Sequence, residues 1–159
     1  MKTNVLFITV LLNALSTGFF FAWTASVILG TKKVGDFTYL ETMQSINREI
    51  LNPAFFTVFF GSLITLFISA ILQYSYKPVF WFILASAVIY LIGTFGVTAF
   101  GNVPLNNELE ALNIKELSIT ELKNFRNHFE SKWNRYHIIR TKANMFSFIL
   151  LLISIFIKK

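Results

Sequence analysis

The stretch "WNRYHIIRTKAN", Trp133 to Asn144, runs without a break into "MFSFILLLISIFI", Met145 to Ile157. The second segment is apolar but short. At about 1.5 Å per residue it reaches only about 20 Å, against a hydrocarbon core of about 30 Å. A helix crossing there must recruit residues from Ile138 to Asn144, which draws Arg140 and Lys142 to the membrane boundary or just inside it. Trp133, His137, Arg140, Thr141 and Asn144 recur at helical spacing and share one face. Lys142 points elsewhere and can snorkel to the interface, and Asn134 and Tyr136 flank the stripe. A face carrying imidazole, guanidinium, hydroxyl and amide at that depth is expected to turn into a bundle, where partners satisfy it. The plainer reading is an interfacial belt of aromatic and basic residues. A His and an Asn on the same stripe favour a site.

Working outward, three further runs carry no charge: Val5 to Leu29, Pro53 to Tyr76 and Pro78 to Val103. Each exceeds the roughly 20 residues that cross a bilayer. The first follows Lys2 but is longer than a signal-peptide core and lacks a small-x-small cleavage site, so it reads as a retained helix. The expected fold is all-α: a single integral membrane domain over residues 1–159. It is a four-transmembrane-helix bundle with spans at about 5–29, 53–75, 79–101 and 137–157. The short "SYKP" link, Ser75 to Pro78, makes the middle two spans an antiparallel hairpin. The first connection holds Leu40, Met43, Ile46 and Ile50 at helical spacing, which predicts a short amphipathic helix. The third connection is also expected to carry a short amphipathic helix: "SITEL", Ser118 to Leu122, has the form of a capping box and predicts a helix start that can lead directly through Trp133 into the fourth span.

Composition removes several classes of function. With no cysteine in the chain, a disulfide, a thiol redox motif and a Cys-ligated metal are excluded. The net charge of +6 does not indicate nucleic acid, because the basic residues sit in loops and at span ends, as in membrane proteins generally. A proton-coupled drug transporter needs a carboxylate within the bilayer, and no expected span contains Asp or Glu. Ten Lys and Arg lie on the face of the long connections and four (Lys2, Lys77, Lys158 and Lys159) on the terminal face. All eight acids share the first face, so raw and net charge counts point to opposite orientations.

Small residues read as packing positions: Thr57, Gly61, Thr65 and Ser69 on the second span, and Gly93, Val97 and Gly101 on the third. Asn13, Thr17 and Thr24 form a polar stripe on the first span. Asn102, Pro104 and Asn106 follow the third span, Asn47 and Asn52 precede the second, and Trp23 lies near the end of the first. All converge on the mouth where the Trp133 stripe begins. Neutral amides, one imidazole, one deep guanidinium and aromatic walls suit an uncharged or weakly acidic aromatic molecule. A metal set of His128, Glu130 and His137 is the one combination available, but Trp133 stands between Glu130 and His137 on the helix face, and no metal is expected.

Four segments carry a resemblance over nearly the whole chain: "GFFFAWTASVILG" (Gly18–Gly30), "MQSINREILNPAFFTVFFG" (Met43–Gly61), "GVTAFGNVPLNNEL" (Gly96–Leu109) and "WNRYHIIRT" (Trp133–Thr141). In this order they resemble the DUF1772, or anthrone oxygenase-like, family of small four-helix membrane proteins. The resemblance implies oxidation of anthrone-like or other electron-rich aromatic substrates by O₂ with no cofactor. Under it, His137 and Arg140 are the expected catalytic pair, as base and oxyanion stabiliser. Trp23, Asn47, Asn102, Asn106, Trp133, Asn134, Thr141 and Asn144 are the expected substrate-binding residues. The expected setting is a bacterial cytoplasmic membrane, and the expected partners are the bilayer and a small hydrophobic or aromatic molecule. The alternative is a non-enzymatic membrane protein that binds a lipid, a quinone or a protein partner. In that case Asn102 and Arg140 lock the loops onto the bundle.

Overall fold

The computed structural model describes residues 2–157; the two terminal lysines of the charge count, Lys158 and Lys159, lie outside them. Four helices are long and apolar enough to cross a membrane: α1 (Lys2–Thr31), α3 (Pro53–Leu72), α4 (Lys77–Glu110) and α5 (Ile119–Phe156). A fifth, α2 (Asp36–Glu49), lies in the first connection. No strand occurs among the described residues. Both α1 and α4 pack against α3 and α5, giving an up-down-up-down ring in which each neighbour is antiparallel.

Two helices run beyond the expected spans. The helix of the third span does not end at Gly101 but continues through Pro104 to Glu110. A proline inside a helix clashes with the carbonyl four residues back and removes a hydrogen bond. Here the turns before it widen to π-helical geometry, over Tyr90–Gly96 and Thr98–Asn102, which relieves that clash. The widening also suits the sequence: Tyr90, Thr94, Thr98 and Asn102 recur every four residues, a spacing that a tighter helix would rotate off one face. The helix of the fourth span likewise begins well before residue 137, as the capping-box motif leads one to expect. Ser118 and Glu121 form the expected capping box, and one helix runs from there to Phe156. Its length, about 57 Å at 1.5 Å per residue, exceeds any hydrocarbon core, so its first turns project beyond the bilayer. The helical segments of the third connection are thus extensions of the spans.

The projecting ends of α4 and α5 meet α2 to build a head. Tyr39, Leu40 and Met43 of α2 pack with Leu105, Leu109, Leu122, Phe129 and Trp133. Gln44 fixes the arrangement by donating its Nε2 to the Leu109 and Leu112 carbonyls, at 2.8 and 3.1 Å. At the opposite end a second core joins Leu66, Ala70, Val79, Ile83, Ala87, Tyr90 and Leu151. Between the two cores the interior is polar. One stripe of α5 passes from Phe129 and Trp133 through His137, Arg140, Thr141, Asn144 and Ser147 to Leu151, all buried. With no hydrophobic drive in lipid, helix association rests on close packing and hydrogen bonds. Thr9 of α1 meets Ser69 of α3 at 2.8 Å, and Ser86 of α4 meets Ser147 of α5 at 2.9 Å.

The predicted small-residue faces serve this packing. Gly61 lies against Leu12 of α1, while Thr57 is exposed. On α4, a Cβ at Gly93 would overlap Ala143, and one at Gly101 would sit 2.8 Å from the Tyr136 ring. Gly93→Val is expected to force α4 and α5 apart at a cost of about 2 kcal/mol. A lowered thermal midpoint in detergent is the readout, and an unchanged midpoint would show that the two backbones do not approach this closely.

Candidate functional site

Where the polar layer meets the head, a cavity of about 390 Å³ opens between α1, α2, the start of α3, α4 and α5. The π-helical turn of α1 at Trp23–Val27 places Trp23 on its wall and Thr24 against the His137 ring. Trp133 stacks on His137, with ring centroids 5.2 Å apart, and tilts against Trp23 at 5.7 Å. The Trp133 indole N–H donates to Asn106 Oδ1 at 2.8 Å, which fixes the orientation of both walls. Phe19, Phe20, Ile46, Ile50 and Phe55 complete an apolar lining.

Arg140 enters this lining from α5, 8% exposed. Its guanidinium lies over the faces of Phe20 and Trp133, at 4.8 and 5.1 Å, and donates to Thr98 Oγ1 at 3.2 Å. Among the described residues no carboxylate pairs with it. The acid on the cavity wall, Glu110, is already bonded to Arg48 at 2.8 Å on the exposed rim. Arg140 Nε and an Nη also point at His137 Nδ1, at 3.4 and 3.2 Å. A guanidinium can only donate, so Nδ1 carries the lone pair and the ring proton sits on Nε2. The far side agrees. Thr24 Oγ1 donates to the Phe20 carbonyl and Thr141 Oγ1 to the His137 carbonyl. Both hydroxyl oxygens are thereby free to accept from Nε2–H, at 2.9 and 3.3 Å. His137 is thus a neutral, oriented imidazole whose basic nitrogen faces the guanidinium.

Six of the residues expected at a site line this cavity: Trp23, Asn47, Asn106, Trp133, His137 and Arg140. Asn47 does so with its Nδ2 buried and unpartnered. The other four do not line it. Asn102 turns away and donates to the Trp133 carbonyl at 3.1 Å, tying α4 to α5. Asn134 is half-buried beside the stripe. Thr141 holds the imidazole from below, and Asn144 lies deeper, donating to Ser16 Oγ at 2.8 Å and accepting from Thr17 at 2.6 Å. Helical spacing gave these residues the correct face but not the depth, and the cavity ends about where His137 ends. Thr98 and the phenylalanines were missed; the four-residue spacing from Tyr90 through Thr94 to Thr98 was the available signal. Asn52, on the approach to α3, caps that helix by accepting from the Phe55 N–H at 2.9 Å.

The three potential metal donors are dispersed. His128 faces Glu108 at 3.9 Å on the exposed side of α5, Glu130 is bonded to Arg126, and His137 is at the cavity. No group of three or more His, Asp or Glu with metal-binding spacing occurs among the described residues.

A sequence model of the anthrone oxygenase family matches residues 55–150, from the start of α3 into the last turns of α5. The matched segment is more than half of the chain and includes Thr98, Asn106, Trp133, His137 and Arg140. No curated protein and no solved structure matches the chain.

Proposed function

The chain belongs to the anthrone oxygenase family, and from that premise we propose that it is a membrane-embedded oxygenase that oxidises an anthrone-like, electron-rich aromatic in the cavity at Arg140. One observation carries this reading: a buried guanidinium without a carboxylate partner, set between aromatic faces. A charge in such a place is costly unless something neutralises it. A substrate that becomes an anion in the pocket would do so, and a flat ring would suit a cavity walled by Trp23, Trp133 and Phe20.

Loss of a proton from an anthrone gives an anion with its charge on the ring oxygen. Arg140 would receive that oxygen in place of His137 Nδ1, stabilising the charge as it forms. Nδ1, so released, is the nearest base. An imidazolium facing the guanidinium at this distance would set two like charges together, so proton transfer and oxyanion binding are expected to occur together. The carbanion carbon then adds O₂, the peroxide anion takes the proton back from His137, and loss of water from the hydroperoxide breaks the O–O bond and the remaining C–H bond. The sum is CH₂ plus O₂ giving C=O plus H₂O, with O₂ as the oxidant and substrate carbon as the reductant. Asn47 Nδ2 and Asn106, both on the cavity wall, would orient further oxygens on the ring. A bacterial cytoplasmic membrane remains the proposed setting. The alternative, a pocket that binds such a molecule without oxidising it, is favoured by the engagement of Nδ1 by Arg140.

Purified protein in nanodiscs, given 1,8-dihydroxyanthrone, is expected to consume O₂ and form the quinone in equal amounts above the spontaneous rate. His137→Ala is expected to lower kcat by about 100-fold or more. No excess turnover, or equal turnover in the His137 variant, would favour binding alone.

A further inference from the structure

Next to the first cavity is a second one, of about 310 Å³, in the cleft between α1 and α3. The two share Phe19, Phe20, Ile50 and Phe55, and the Phe19 and Phe55 rings, with centroids 5.7 Å apart, stand at the junction. Beyond them the second cavity is lined by Leu15, Ala54, Val58 and Phe59, with Ser16 and Asn52 as its polar points, and the Asn52 amide is already engaged by the Glu49 carbonyl and the Phe55 N–H. Leu15, Phe19 and Ala54 are exposed and lie on spans, so in a membrane this cleft faces hydrocarbon. The water-facing rim of the first cavity, in contrast, is bridged by Arg48 and Glu110. Apolar continuity therefore runs sideways into the bilayer, while the direct path to water passes an ion pair.

We propose that the α1–α3 cleft is a second subsite for the hydrocarbon portion of the ligand whose oxygen-bearing ring binds at Arg140, and that this ligand enters from the bilayer through it. The inference rests on the reading of the first cavity as the ring site. It commits to one amphiphilic molecule with a phenolic or similarly acidic head and an alkyl or extended aromatic tail. The charge distribution supports this occupant over a bulk lipid chain. The one unneutralised cation of the two cavities is at the inner end, where the head of a laterally entering acid would arrive. At the cleft end no charged side chain is present.

The test uses the full chain in nanodiscs with Trp81→Phe, so that quenching reports Trp23 and Trp133. The probes are 4-ethylphenol and 4-octylphenol. Ala54 and Val58 line the cleft and not the first cavity, and neither is buried, so filling them leaves the fold intact. Ala54→Phe with Val58→Phe is expected to weaken 4-octylphenol by about tenfold, the scale of roughly two methylenes expelled from a fitted site, and to leave 4-ethylphenol unchanged. Arg140→Met is expected to weaken both. Equal effects of the cleft substitutions on the two phenols, or no effect on either, would overturn the tail subsite while leaving the ring site in place. Failure of both phenols to bind the unsubstituted cleft would overturn the ring site and the tail subsite together.

Discussion

Arg140→Met should lower turnover by roughly 100- to 1000-fold, the effect of removing one oxyanion stabiliser, with thermal stability unchanged or raised. The two halves of this prediction come from the same geometry. Deleting one partner of a buried ion pair strands the other charge, and that is the usual reason such changes unfold proteins. Arg140 has no such partner: its guanidinium contacts two ring faces, a threonine hydroxyl and an imidazole lone pair. An apolar side chain of similar length would keep the packing against Phe20 and Trp133, and the desolvated charge would be gone. Active sites hold such locally unfavourable groups because ligands need them. Arg140→Lys should recover part of the activity, keeping the charge but losing the planar fork. Anthrone oxidation in air and a thermal melt in the same detergent read both quantities. A variant that melts far below the parent and binds ligand normally when folded would make Arg140 a structural residue.

The residues of α5 show how far the sequence could be read. Spacing alone placed Trp133, His137, Arg140, Thr141 and Asn144 on one inward face, because a helix of known period leaves no freedom there. The same logic failed for depth. Whether an inward side chain meets a cavity or another helix depends on what stands opposite, and Asn144 meets Ser16 and Thr17 of α1. Asn102 was expected to orient a substrate because it lies at the mouth. Its amide instead caps a backbone carbonyl of α5, a role indistinguishable in sequence from ligand binding. The boundaries of α4 were obscured by Pro104, ordinarily a helix breaker, and the π-helical turns before it left only the four-residue spacing of Tyr90, Thr94, Thr98 and Asn102 as their trace in the sequence. The tautomer of His137 needed three neighbours at once: Arg140 on its own helix, one turn on, and two hydroxyls on α1 and α5.

Arg126→Met is the counterpart on the same stripe of α5, and it should destabilise the protein by about 3 kcal/mol with little effect on ligand affinity in the folded fraction. Its guanidinium is as buried as that of Arg140, each 8% exposed, but every donor direction is answered. It bonds Asp36 at 3.0 Å and Glu130 at 2.9 Å, and it donates to the Thr31, Lys32 and Val34 carbonyls at 3.3, 3.4 and 2.7 Å. Those carbonyls lie at and just beyond the C-terminal end of α1, where orphan acceptors and the negative end of the helix dipole favour a cation. The guanidinium also covers the face of Tyr39 at 4.5 Å. Burial first, and then the Glu130 carboxylate, hold that phenol above its ordinary range, so Tyr39 stays neutral and adds no charge to the cluster. Removing Arg126 would strand two carboxylates and release the α1–α2 turn from α5, loosening the head above the site. Glu130→Gln in the Arg126→Met background should restore part of the lost thermal midpoint, since one stranded charge is removed with the cation. Additive losses in the double variant would mean that the two residues stabilise the head independently, and the contrast between a paired arginine that holds the fold and an unpaired one that awaits a ligand would fail.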